Sequence, residues 1–295
     1  MKRCAIFGAN GYLASHLAFH LCRRGVACNL FDLQPVARGV DGDYLPCDVL
    51  DAAFWAEFDP ARYDAVYFFA GLSGVEPSFA SPAKFIQVNE LGLVNLLETL
   101  APLGERAPKV LFPSSRLVYR GGGEVDESSP LDSKSVYAAN KIACEALLSA
   151  YRARMGVPYA AFRVCVPYGN LLGNGYSYGT IAFFAKQARF AGEITVYGDG
   201  SATRTFTHVS DVCEAAARLA ETEAQGVYNV GGSLYTLQQA AECVAARFRA
   251  KVANIPWPDA AARVEMGSIS FNASKLAAAT GLTAYKDLRD CLGDL

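Results

Sequence analysis

An apolar run that breaks at glycine and restarts as a helix limits the architecture of this chain more than any other stretch. Cys4-Ala5-Ile6-Phe7 leads into Gly8-Ala9-Asn10-Gly11, after which Leu13, Leu17 and Leu21 share one helical stripe before a second apolar run, Ala27 to Phe31. Strand, helix and strand in that order form a βαβ unit with parallel strands. Gly8 and Gly11 permit a tight turn and a close approach of backbone amides to an anion, which the N-terminus of the following helix favours. A dinucleotide is usually gripped in this way.

The alternation continues. Apolar runs at Ala65 to Ala70, Lys109 to Pro113 and Tyr159 to Val166 have the length of buried parallel strands, separated by helical segments at Phe85 to Leu100 and Val136 to Arg154. The expected fold is α/β, a Rossmann-type doubly wound parallel sheet. After Pro167 the texture changes to Gly, Asn and Tyr, from Tyr168 to Gly179, then a helix near Ile181 to Phe190 and a short strand Ile194 to Tyr197. These begin a smaller, mostly C-terminal substrate-binding lobe. Helix Asp211 to Ala220 and strand Val227 to Val230 return to the nucleotide domain, and helix Leu237 to Phe248 leaves it again. The expected division is 1–166 plus 207–230 for the dinucleotide domain and 167–206 plus 231–295 for the lobe. With no repeat or flexible linker in the sequence, the two should pack together.

Tyr137 and Lys141 stand four residues apart on one helix face, a phenol beside an amine. A free phenol has a pKa near 10, so a base at neutral pH needs ~3 units of lowering, ~4 kcal/mol of preference for the phenolate. Lys141 supplies one charge for that, and an oxidised nicotinamide would supply another. Ser114 and Ser115 end the strand from Lys109, where parallel sheets face a ligand crevice. Ser115 is placed to hydrogen-bond the same substrate oxygen as Tyr137, with Ser114 satisfying backbone groups in the turn. Asp32 ends the second strand about 20 residues beyond the glycine turn, where a carboxylate accepts ribose hydroxyls and repels a 2′-phosphate. NAD is therefore expected over NADP, although Arg38 nearby leaves the phosphate-bearing cofactor open.

Composition narrows the partners. The 295 residues are 52% hydrophobic and 19% charged, enough for a substantial core, and a net charge of -2 gives no electrostatic case for nucleic acid or an anionic membrane. Gly8, Asn10 and Gly11 interrupt the first apolar run too early for a signal peptide, and no apolar run reaches the ~20 residues of a membrane span, so a cytoplasmic protein is expected. Nine scattered cysteines without metal-ligand spacing read as core residues, Cys165 lying nearest the expected crevice. No metal is expected. His16, His20 and His208 do not fall into a hydrolase triad.

These landmarks, in order, make the chain resemble the extended short-chain dehydrogenase/reductases that act on nucleotide-diphosphate sugars, over nearly its whole length. The set is Gly8 to Leu17, Asp32, Asp48-Val49, Ala70-Gly71, Asn89, Ser115 to Tyr119, Tyr137 to Lys141, Arg163 to Gly169, Tyr197 to Gly200, and Arg204 leading to His208-Val209-Ser210-Asp211-Val212. The resemblance implies that Tyr137 is the acid/base, that Lys141 lowers its pKa and holds the nicotinamide ribose, and that Ser115 polarises the sugar oxygen. It assigns the cofactor to Gly8, Asn10, Gly11, Tyr12 and Leu13 at the turn and to Asp32 at the ribose. Asp48 would take the adenine amine and Val49 its ring, while Ala70 and Gly71 would line the channel, with Asn89, Ser114 and Val166 completing it. For the substrate it implies Ser115, Tyr197, Arg204 on the diphosphate, and Arg263 as a second grip. Val166 stands where many relatives have an Asn on the diphosphate, a contact that Asn170 would replace. Ala14 stands at a position more often Gly, and Thr205 where Asp is usual. A homodimer through helices Phe85 to Leu100 and Val136 to Arg154 is expected of the family.

Relatives that dehydrate the sugar carry a Thr-Asp-Glu or similar set where this chain has Ser115-Arg116-Leu117, and decarboxylating relatives carry a Glu there. The missing acids point away from both reactions. The leading expectation is an NAD-dependent nucleotide-diphosphate-sugar 4-epimerase working through a 4-keto intermediate. The alternatives are an NAD(P)H-dependent 4-ketoreductase of a nucleotide-linked deoxysugar and a non-catalytic NAD-binding sensor. Arg116 has no assigned role, as a surface charge or as a group reaching toward a substrate acid.

Overall fold

The computed structural model describes residues 1–35, 42–173 and 178–295. Arg38 lies outside the described residues, as does part of the expected loop, 174–177. The strands in chain order are β1 (Arg3–Phe7), β2 (Ala27–Asp32), β3 (Asp43–Pro46), β4 (Ala65–Phe68), β5 (Lys109–Ser115), β6 (Gly123–Val125), β7 (Tyr159–Val164) and β8 (Val166–Tyr168). Then follow β9 (Glu193–Tyr197), β10 (Thr203–His208), β11 (Gly226–Asn229), β12 (Ser233–Thr236), β13 (Lys251–Ile255) and β14 (Ile269–Phe271).

Seven of them form one parallel sheet in the order β11-β7-β5-β4-β1-β2-β3. Helices cover both faces, so most strand residues near the centre are apolar and successive side chains enter different cores. In β1, Cys4 and Ile6 pack with Leu17 and Leu21 of the Tyr12–Arg23 helix, while Ala5 and Phe7 pack with Leu93, Leu97 and Leu148 on the other side. The strand order reverses between β1 and β4, and a crevice opens there beyond the strand ends. This is the expected doubly wound fold.

A second sheet, β12-β10-β14-β6 with β8 beside β10, carries the smaller lobe, and β9 pairs with β13. The expected single strand Tyr159 to Val166 is broken at Cys165: Val164 still pairs with Ser115 in the first sheet, whereas Val166 pairs with Phe206 in the second. Two segments cross the expected domain boundaries. Gly123–Val125 lies in the second sheet, and Leu276 and Leu282 pack in the first core.

The expected helix Phe85 to Leu100 is also interrupted. Pro82–Phe85 and Gly92–Leu100 are α-helical, with a wider π-helical turn over Ile86–Leu91 between them. Within that turn the Asn89 side chain accepts from Leu72 N at 2.7 Å and donates to Leu72 O at 3.0 Å, tying the turn to the loop after β4. π-Turns are often found where such a functional side chain must be re-aimed.

Candidate active site

A groove of about 780 Å³ runs along the crevice and is lined by Gly8, Gly11, Asp32, Asp48, Val49, Ala70 and Gly71 among others. Gly8 adopts φ 77°, and a Cβ there would lie 2.6 Å from Ala70 N across the switch point. Only glycine leaves backbone room for a ligand at this crossing. Asp32 accepts from Asn10 N at 2.9 Å through Oδ2 and from Gln34 N at 3.0 Å through Oδ1, so each oxygen keeps a lone pair for a ribose hydroxyl. Asp48 Oδ1 accepts from Leu50 N at 2.9 Å, forming the turn that aims Val49 into the groove. The residues present fit a dinucleotide.

Beyond the groove lies a cavity of about 310 Å³, lined by Tyr12, Leu13, Ser114, Tyr137, Lys141 and Tyr178 among others. The Val136–Met155 helix starts at Ser135, whose hydroxyl accepts from Ala138 N at 3.1 Å. That start places Tyr137 and Lys141 in its first two turns, facing the end of β5. Lys141 Nζ donates to Pro113 O at 2.7 Å and sits 4.3 Å from the centre of the Phe112 ring. Burial lowers the Lys141 ammonium to about 8. Burial also pushes the Tyr137 phenol above the ordinary tyrosine value, as does Tyr178, whereas the Ser115 hydroxyl and Arg116 pull it down. The expectation of a phenol lowered by Lys141 is therefore corrected for the protein alone, because the same dry surroundings penalise both charges.

Underneath, Glu145 accepts from Ser114 Oγ at 2.5 Å and pairs bidentately with Arg163 at 2.9 and 2.5 Å. Arg163 stacks on Tyr119, whose hydroxyl donates to Asn229 Oδ1 at 2.7 Å. This buried network fixes the end of β5 and was missed from sequence. The signal was present, since Tyr137, Lys141 and Glu145 recur every four residues. Tyr178 was also missed: its hydroxyl donates to Ser73 Oγ at 3.3 Å across the cavity and its ring stacks on Tyr12.

A third cavity, about 400 Å³, is lined by Arg116, Val166, Tyr197, Arg204, Trp257 and Glu265 among others. Neighbouring residues serve both cavities: Val166 lines this one and Pro167 the last, as alternation along β8 requires. Val166 thus faces this third cavity and not the one at Tyr137 or the groove along the switch point, a placement that follows from the break at Cys165. Arg204 is 2% exposed and donates to Glu265 Oε1 and Gly267 O, each at 2.5 Å, and to Thr203 O at 2.9 Å.

Four further expectations need correction. Arg263, in the last turn of Asp259–Val264, is exposed and outside the cavity lining. Asn170 Oδ1 accepts from Leu172 N at 2.8 Å and lies 3.2 Å from His16 Nε2, so its side chain holds a loop beside the Tyr12–Arg23 helix. Asn10 donates from Nδ2 to Tyr44 at 3.0 Å, and Asn89 is spent on Leu72, so both shape the groove from behind its wall. Cys165 is buried, and burial pushes its thiol up, away from reactivity. Among the described residues His208, Cys291 and Asp294 bring possible ligand atoms within 4.8 Å, but His208 spends Nδ1 on Ser210 and Nε2 on Asp294. No helix of the described residues is long and apolar enough to cross a membrane.

Residues 4–231 match the model of the NAD dependent epimerase/dehydratase family. The chain belongs to that family. Members are enzymes of the extended short-chain dehydrogenase/reductase type, and NAD is the cofactor. UDP-N-acetyl-alpha-D-glucosaminuronate decarboxylase of Bacillus cytotoxicus is 30% identical over 245 residues, covering 78% of this chain and 75% of that one. dTDP-L-rhamnose 4-epimerase of Burkholderia thailandensis is 25% identical over 302 residues, covering 84% and 82%. Among solved structures, MoeE5 in complex with UDP-glucose and NAD is similar at 25% identity, TM-score 0.83, covering 99% of this chain and 96% of that one. A UDP-glucose 4-epimerase from Brucella ovis in complex with NAD shares the fold at TM-score 0.84 and 23% identity, covering 100% and 97%.

Proposed function

We propose that this family member is a nucleotide-diphosphate-sugar 4-epimerase that retains its NAD and works through a transient 4-keto sugar. One observation carries the reading: the cavity at Tyr137 and Lys141, and the neighbouring one at Arg116, have no free carboxylate among their described lining residues. Glu265, the acid in the substrate cavity, is paired with Arg204, and the cavity at Tyr137 has none. Removing water from the sugar needs an acid and a base besides the C4 pair. Inverting C4 needs one group that takes a hydroxyl proton and returns it. The UDP-glucose bound by MoeE5 and the dTDP-linked sugar named for the Burkholderia relative support a nucleotide sugar as substrate.

In this reading Tyr137 takes the C4 hydroxyl proton while Ser115 donates to the same oxygen, and the phenol later gives the proton back. Bound NAD would supply the electron-pair acceptor and donor for C4, and its pyridinium charge would add to that of Lys141 in favouring the phenolate. The stacked rings of Tyr12 and Tyr178 line the cavity beside the phenol. The test is to denature the purified protein, assay the released cofactor, and follow nucleotide sugars by NMR. Stoichiometric NAD and a C4-epimerised product are expected. An empty protein that consumes NADPH with a 4-keto sugar would replace the epimerase with a reductase.

A further inference from the structure

Arg116 occupies the substrate cavity with Arg204 and Glu265, and the two arginines are in different states. Arg204 is pinned by Glu265 and two carbonyls. Arg116 has no hydrogen bond or ion pair from its guanidinium to any side chain of the described residues, and it is half-buried. The charged lining therefore leaves one positive charge uncompensated in a partly dry space, an arrangement that costs stability unless a ligand brings the anion.

Its position says which anion. Arg116 follows Ser115 directly, and its charge acts on the Tyr137 phenol. A base working at C4 of a hexopyranose stands beside C5 and its substituent, whereas the diphosphate leaves C1 on the opposite side of the ring. Resting on the reading above, we propose that Arg116 binds the C6 carboxylate of a nucleotide-linked hexuronic acid, making that class the substrate. A planar guanidinium takes a carboxylate through two parallel hydrogen bonds. The pairing also protects the substrate. A 4-keto uronate is a β-keto acid, which loses carbon dioxide when the C5–C6 bond breaks, its electron pair becoming the C4–C5 enolate while an electron pair on the carboxylate oxygen closes the second C=O bond. A carboxylate held by Arg116 keeps that pair on oxygen.

Calorimetric binding to the NAD-loaded protein tests this, using UDP, UDP-glucose and UDP-glucuronic acid and their thymidine, guanosine and cytidine counterparts. In the series that binds, the wild type should hold the uronate at least about ten-fold tighter than the hexose, the worth of one charge-assisted pair. Arg116→Met should erase that preference and leave the free nucleoside diphosphate unchanged, with Arg116→Lys keeping part of it. Equal wild-type affinity for uronate and hexose would overturn the proposal, and that comparison needs no variant. So would an Arg116→Met that weakens the diphosphate as much as the uronate, or a wild-type product that has lost carbon dioxide. Absence of binding in every series would remove the nucleotide-sugar reading itself, and the proposal with it.

Discussion

Lys141 Nζ donates to the carbonyl oxygen of Pro113 at 2.7 Å while standing 5.8 Å from the centre of the Tyr137 ring. The ammonium is held by the backbone at the end of β5, beside the Tyr137 ring. Lys141→Met should lower turnover by about a hundred-fold or more, the scale of losing one group that tunes acid/base catalysis. Steady-state kinetics beside the NAD content of the purified variant would check it, and unchanged turnover would remove Lys141 from the mechanism.

Gly8 lies against the backbone of Ala70 in the lining of the groove. A Cβ at this position would sit 2.6 Å from Ala70 N and 2.8 Å from Ala70 Cα at φ 77°. Gly8→Ala should destabilise the fold by about 1–3 kcal/mol through overpacking against backbone, and the purified protein should carry little NAD. Urea unfolding and cofactor assay after denaturation read the two effects, and full NAD occupancy would show that the turn is not a cofactor cradle.

Glu145 is placed to matter more for folding than for chemistry. It is 6% exposed, and its partner Arg163 is 2% exposed. Glu145→Gln leaves that guanidinium buried without its counter-charge and should cost about 3–5 kcal/mol. The double variant Glu145→Gln/Arg163→Met should recover part of the loss, because no orphan charge remains. Chemical denaturation of the wild type, Glu145→Gln, Arg163→Met and the double variant decides it, and strictly additive losses would contradict the coupling.

Lys109 gives a pH signature. It is buried, donates to Leu219 O at 2.7 Å and Thr222 O at 2.9 Å, and burial lowers it from 10.5 to about 8. Below pH 8 folded and unfolded chains both hold the proton, and the cost of burying the ammonium is present in full. Between 8 and 10.5 the unfolded chain binds more protons than the folded one, so this group's contribution to stability rises with pH. The stability of the wild type relative to Lys109→Met should rise by on the order of 3 kcal/mol across that window. A difference that stays flat with pH, in urea titrations of both proteins, would contradict the assignment.

Local pattern made the nucleotide domain legible. The β1 turn and its helix could be read because glycine spacing and a leucine stripe are properties of neighbouring residues. The placement of Tyr137 and Lys141 on one helix and of Asp32 at the end of β2 was legible for the same reason. Less legible were features decided by distant partners. The π-turn at Ile86–Leu91 is tied to Leu72 through Asn89, and Val166 turns to the cavity at Arg116 and Arg204 because the chain changes sheets at Cys165. Asn170 is taken by His16, a residue 154 positions away. The state of Arg116 likewise depends on Glu265 pairing with Arg204 instead of with it.

The central claim is that Tyr137 moves the proton at the reacting carbinol, and Tyr137→Phe tests it most directly, since it removes one oxygen and keeps the ring. Turnover of the nucleotide sugar should fall by about 10²–10⁴-fold, with the NAD released on denaturation unchanged from the wild type. A variant that retains its NAD and epimerises at the wild-type rate would contradict the account.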